Sequence, residues 1–118
     1  MLAIKNALLG AMLYLNAEFE ASIPHLRAGV AEQADSITAH DYLGLALMKT
    51  GRTQEAVEQF ELVTRLDPDY APVRYSLGMA LRKLGQNERA AIELEKFRQL
   101  QEREDKRKRK MDFYGETR

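Results

Sequence analysis

The sequence predicts an all-α solenoid of three antiparallel helix pairs with an extended C-terminal helix, and two observations carry that prediction. The first is a repeat. Leu43-Gly44 returns as Leu77-Gly78 and as Leu9-Gly10, a spacing of 34 residues in each direction. The same phase relates Leu47 to Leu81 and Leu13, Gly51 to Gly85, Ala56 to Ala90, and Phe60 to Leu94 and Leu26. A fixed period of this length marks an array in which each unit buries its apolar face only against its neighbours. The second observation is the helical spacing of the apolar positions within each unit.

The central unit, Ser36 to Asp69, shows the pattern most fully. His40, Leu43, Gly44 and Leu47 fall at i, i+3, i+4 and i+7, on one helical face. Gly51 follows in a Lys-Thr-Gly-Arg turn, where a residue without Cβ can take positive φ and close the helix. Thr53 is the expected N-cap of the second helix, with Gln54 and Glu55 in its first turn and Ala56, Phe60 and Val63 as its apolar stripe. Asp67-Pro68 ends it, because proline cannot continue a helix and restricts the residue before it. Gly44 and Ala56 leave room for a close helix approach, and Phe60 fills the space a smaller side chain would leave empty.

Through His40, Leu43, Gly44, Leu47, Ala56, Phe60 and Pro68 the unit resembles the tetratricopeptide repeat family. His40 and Leu47 stand where that family usually carries aromatic residues. The third unit matches through Leu77, Gly78, Leu81, Ala90 and Leu94, with Arg74 at the first aromatic position and Glu102 in place of the terminal proline. The first matches through Leu9, Gly10, Leu13 and Leu26, with Ser22 for the alanine and Ala34 for the proline. The resemblance implies a right-handed superhelix of repeats at about 3–36, 37–70 and 71–104, within a body of residues 1–105 followed by a charged basic tail, 106–118. It also implies a non-catalytic scaffold in which the first helix of each unit lines a concave groove.

The 118 residues lie within the usual size of one domain. There is no Trp and no Cys, and 45% of residues are hydrophobic, enough for a modest elongated core. The lack of Cys removes disulfides and thiolate chemistry and fits a reducing, cytoplasmic compartment without excluding export. The formal net charge is zero but unevenly spread. Residues 1–105 hold 12 Lys and Arg against 16 Asp and Glu, a net −4, and residues 106–118 hold 6 against 2, a net +4.

Met1 to Leu15 is apolar almost all round, interrupted by Lys5, Asn6 and Gly10. The run from Ala7 to Leu15 is far short of the ~20 residues of a membrane span. A signal peptide fits the charge at Lys5, but Leu15 poorly matches the small residue expected before cleavage at Ala17. Leu9, Gly10 and Leu13 instead sit on the repeat template, so this segment reads as a helix of the array. Leu2, Ile4, Leu8, Met12 and Leu15 cannot all face their own unit, which implies either a longer array or contact with another copy. Pro24 falls in the next helix and predicts a late start there, about Ile23 to Gln33 with Ser22 as N-cap.

Nothing in the sequence supports catalysis or a cofactor. The Ser and Thr residues sit at caps and turns, and no phosphate loop, nucleophile elbow or zinc motif is present. His25 and His40 are isolated, whereas a metal site needs three or four ligands. No catalytic residue and no metal site is expected.

Stepping by 34 along the first helices gives the residues expected in the groove. Ala7, Asp41 and Tyr75 form one row, Ala11, Leu45 and Met79 the next, and Tyr14, Met48 and Arg82 the third, with Tyr42 beside them. Met adapts to irregular partners and Tyr gives contact area at low entropic cost. Tyr42, Leu45 and Met48 fit a core equally well, whereas Tyr75, Met79 and Arg82 are expected to be exposed, because Leu77, Leu81 and Leu84 already supply that helix's core stripe. One subgroup of the resembled family holds a ligand's C-terminal carboxylate with Lys and Asn; the corresponding places here are Ala7, Ala11, Tyr42, Pro72 and Ser76. That clamp is absent, and the expected partner is a protein or peptide with an apolar stripe.

The last helix continues from Asn87 through Ala90, Ala91, Leu94, Phe97 and Leu100 into the charged run Glu102 to Lys110. Such a run usually caps a solenoid. The rival readings are a nucleic-acid or acidic-surface patch at Lys106 to Lys110, or a self-associating fragment of a larger protein joined through the N-terminal helix. Met111, Phe113 and Tyr114 read either as a disordered end or as a docking peptide.

Overall fold

The computed structural model describes residues 2–116, with side chains from Lys5 to Tyr114. The side chains of Leu2 and Ile4, two of the five apolar residues that cannot all face their own unit, and residues 1, 117 and 118 lie outside what is described. Six helices follow one another: α1 (Leu2–Leu15), α2 (Phe19–Glu32), α3 (Ile37–Lys49), α4 (Thr53–Leu66), α5 (Ala71–Lys83) and α6 (Asn87–Glu116). They pack as three pairs, and among the described residues contact runs only between helices adjacent or next but one in the chain. This is the expected all-α solenoid, spanning 50 × 38 × 25 Å.

Within each pair the helices meet at a glycine facing a large side chain sixteen positions on. A Cβ at Gly44 would overlap the Phe60 ring, one at Gly10 would stand 2.5 Å from Leu26 Cγ, and one at Gly78 2.7 Å from Leu94 Cγ. Phe60, Leu26, Leu43, Leu47, Leu77 and Leu81 are consequently sealed from solvent. The core is continuous through the array.

The turn closing each first helix also repeats. Gly51 and Gly85 take φ +84° and +80°, and the equivalent place in the first pair is held by Ala17 at φ +63°. A Cβ makes this left-handed conformation cost roughly 1–2 kcal/mol. Ala17→Gly is therefore expected to stabilise the chain by about 1 kcal/mol, read as a rise in melting temperature, with part of the gain offset by the freer unfolded glycine.

Three expectations at helix ends are corrected. Helix α2 begins at Phe19, four residues before Ile23, with Glu18 rather than Ser22 at its N-cap, and Pro24 lies inside it. Phe19 is anchored against Tyr14 at 5.2 Å between ring centroids, which holds the chain helical from that point. Pro24 is exposed, so the backbone group it cannot serve lies on the solvent side. Ser22 is wholly buried in the alanine position of the pattern, and its hydroxyl donates to the Phe19 carbonyl at 2.6 Å. In α4 the N-cap is Arg52, and Thr53 is the first helical residue, buried. The serine that does cap is Ser36, whose Oγ accepts from the Ala39 N–H at 3.1 Å. Leu84, expected in the core stripe, is the exposed C-cap of α5; Leu77 and Leu81 fill the core without it.

Two of the places lacking the expected aromatic residue, His40 and Arg74, are filled by buried polar bridges. His40 Nε2–H donates to the Ala34 carbonyl at 2.7 Å, and Nδ1 pairs with the Gln59 side chain at 2.7 Å. One repeat later the same three places hold a charged version. Arg74 donates to Glu93 Oε2 at 2.9 Å and to the Pro68 carbonyl at 3.1 Å. Each bridge ties the start of a first helix to its partner helix and to the preceding turn. A buried polar group must find such partners or destabilise the fold.

Candidate functional site

Between α1, α3 and α5 the concave side opens into a cleft of about 350 Å³, lined by Tyr14, Leu45, Met48, Lys49, Tyr75, Ser76, Met79 and Lys83. The helix phase produces it. Residues i, i+3, i+4 and i+7 share a face, so one stripe of α5 turns Tyr75 and Met79 outward while Leu77 and Leu81 turn into the core. Tyr75 is 49% exposed although its ring meets Phe97 at 5.4 Å, so it is held in place yet available.

Five of the expected groove residues meet here: Tyr14, Leu45, Met48, Tyr75 and Met79. The others are placed differently. Ala7 packs where α2 approaches closely at Gly29, and Ala11 is buried. Arg82 is exposed but does not line the cleft. Tyr42 is half-buried, with its ring edge-on to Tyr14 at 5.5 Å. Asp41 is 8% exposed, beneath the surface rather than on it.

Asp41 belongs to a small polar cluster under the groove wall. The Tyr70 hydroxyl, from the turn before α5, donates to Asp41 Oδ2 at 3.2 Å, while Oδ1 is buried without a hydrogen-bond partner. Burial pushes the Asp41 carboxyl above its ordinary value, and the Tyr70 hydrogen bond opposes that. Tyr70 is itself pushed up to about 12, first by burial and then by the Asp41 charge. Burial followed by the same charge raises Tyr14. The Tyr14 and Tyr70 phenols are therefore neutral hydrogen-bonding groups at any physiological pH.

Lys49 and Lys83 are lining residues absent from the rows expected in the groove, and Ser76 is expected there only as a place of the missing clamp. The signal was present, since Lys49 and Lys83 stand 34 residues apart, one position beyond the row of Met48 and Arg82. Lys49 Nζ lies 5.7 Å from the centre of the Phe19 ring. The lining thus combines Tyr, Leu and Met side chains with Ser76 and two lysines. Among the described residues no cluster of side chains could hold a metal, and no helix is long and apolar enough to cross a membrane.

Comparison with known proteins adds to this geometry. Residues 13–71 and 42–103 each match the tetratricopeptide repeat family model. The peroxisomal targeting signal receptor of Candida albicans (strain SC5314 / ATCC MYA-2876) is 30% identical over 86 residues, which are 73% of this chain and 14% of the receptor. The chain thus spans only a small part of that relative. YrrB, described as a repeat protein of this type with an unusual peptide-binding site, superimposes with a TM-score of 0.80 at 26% identity, over 84% of this chain and 51% of YrrB. The second repeat domain of Spaghetti (RPAP3), solved with an HSP90 peptide, shares the fold at TM-score 0.81 and 21% identity, over 85% of this chain and 93% of its own.

Proposed function

Because the chain belongs to the tetratricopeptide repeat family, we propose that it is a non-catalytic interaction scaffold that binds a peptide or helix in the groove between Tyr14, Leu45, Met48, Tyr75 and Met79. The observation that carries this reading is the exposure of Tyr75 and the half-exposure of Met79 on a helix whose core stripe is already complete. Exposed aromatic and Met side chains on a rigid concave face supply adaptable contact area. The peptide-binding site named for YrrB supports the same class of function.

The lining refines the ligand. Lys49 and Lys83 stand among the apolar side chains, so the fitting partner carries an apolar stripe with neighbouring Asp or Glu rather than basic residues. The basic run of α6 favours nucleic acid less. Lys106 and Arg107 already pair within the helix with Glu102 at 3.8 Å and Glu104 at 2.8 Å, which dilutes the patch.

A peptide-library selection tests the reading. Selected peptides are expected to show an apolar stripe with acidic flanks and to lose at least about tenfold in affinity against Tyr75→Ala/Met79→Ala, two anchors at roughly 1 kcal/mol or more each. Helical content and melting temperature should hardly change. Binding that ignores the double variant would reject the groove, and loss of fold would place both side chains in the core.

A further inference from the structure

We propose that the outward stripe of α1, formed by Leu8, Met12 and Leu15, is a two-fold contact between copies of this chain. These residues follow one another at spacings of four and three and are 59%, 58% and 70% exposed, with Leu9 beside them at 39%. Large apolar side chains grouped this way on one helix mark an interaction surface. In the later pairs the place of Met12 is taken by Ala46 and Ala80, both sealed by the preceding helices. Among the described residues the first helices of the later pairs carry no such open stripe.

Of the surfaces this chain itself offers to α1, the opposite end of the array fits poorly. The positions that carry Tyr14, Leu26 and Val30 in the first pair are, in the third, Arg82, Leu94 and Arg98. Arg98 is locked to Glu95 at 2.6 Å and Glu102 at 2.9 Å. Stacking α1 head to tail on that end would bury an ion cluster against leucines, at a large desolvation cost. Packing α1 against α1 of a second copy buries like against like, the self-complementary arrangement of a two-fold dimer.

Charge fixes the direction. Lys5 stands at the start of the stripe and Glu18 just beyond its end, both exposed. Antiparallel pairing centred on Met12 brings Lys5 of each copy beside Glu18 of the other; parallel pairing sets like charges together. A hollow of about 490 Å³ lined by Leu9, Met12, Leu13, Leu15, Asn16 and Glu18 would receive the Leu8 side chain of the opposite copy. The contact is small by the standard of stable complexes, so the dimer is weak and concentration-dependent.

Sedimentation equilibrium of the full chain, from micromolar to millimolar concentration, is expected to follow a monomer–dimer equilibrium. Met12→Glu should give a monomer with unchanged circular dichroism. Lys5→Glu and Glu18→Lys should each weaken association about threefold to tenfold, since each removes two cross-dimer ion pairs. The combined charge swap should restore it. Both positions are exposed, so these variants remain informative even if Met12→Glu perturbs the fold. A wild-type monomer at millimolar concentration, a dimer that survives Met12→Glu, or a double swap that fails to restore association overturns the proposal. So does dissociation by Tyr75→Ala/Met79→Ala, which would move the contact to the groove.

Discussion

Gly44→Leu is expected to collapse the central helix pair. A Cβ alone already overlaps the Phe60 ring, and Phe60 is fully buried with no free space to retreat into. Overpacking of a close-packed core costs about 1–3 kcal/mol when the neighbours can shift. Here the neighbour is the wholly buried Phe60 ring, so the loss should reach at least the top of that range, a large part of the stability of a small domain. Gly51→Ala gives the contrast. Nothing lies within 4 Å of a Cβ there, and only the φ of +84° resists, so about 1 kcal/mol should be lost. Urea unfolding of the two variants separates steric overlap from backbone strain; equal, small losses would refute the close packing assigned to Gly44.

The second large effect is expected at Glu93. The Arg74–Glu93 pair has side chains only 10% and 13% exposed, and Arg74 Nε is already buried without a partner. Glu93→Ala would strand the guanidinium with the Pro68 carbonyl alone, an uncompensated buried charge worth about 3 kcal/mol of destabilisation. Removing both charges should do far less harm. Arg74→Met with Glu93→Leu is expected to be near neutral or stabilising, because the pair's attraction barely repays its desolvation. If the single variant unfolds at the wild-type urea midpoint, the pair is not buried in solution.

The array was legible because its period is written in residues that packing leaves no choice about. Gly10, Gly44 and Gly78 each face a side chain that needs their missing Cβ, so spacing and geometry are one fact. Helix ends were less legible because rival local signals compete there. Pro24 argued for a late start to α2, but Phe19 packing on Tyr14 won, and a proline on the solvent side is tolerated. The groove was half legible for a related reason. Stepping by 34 finds residues on the same helical face, yet Asp41 is covered by Tyr70 from a turn that the stepping ignores. Lys49 and Lys83 are not legible as groove residues, because a charged residue beside an apolar row reads as solvated surface until its neighbours are known.

The restriction of contacts to helices adjacent or next but one in the chain bears on how the protein reaches its fold. Every contact closes a short loop, so little chain entropy is lost before contacts form, and the topology belongs to the fast-folding class. The middle pair, α3 and α4, has a neighbour on each side and the fully sealed Phe60 between its helices. It is the natural nucleus, from which order spreads outward to α1 and α6. Breathing runs the opposite way. The ends are expected to open first, with α1 lifting away from the array before the central pair exchanges its protected amides, and a partner bound across α1, α3 and α5 should slow that opening.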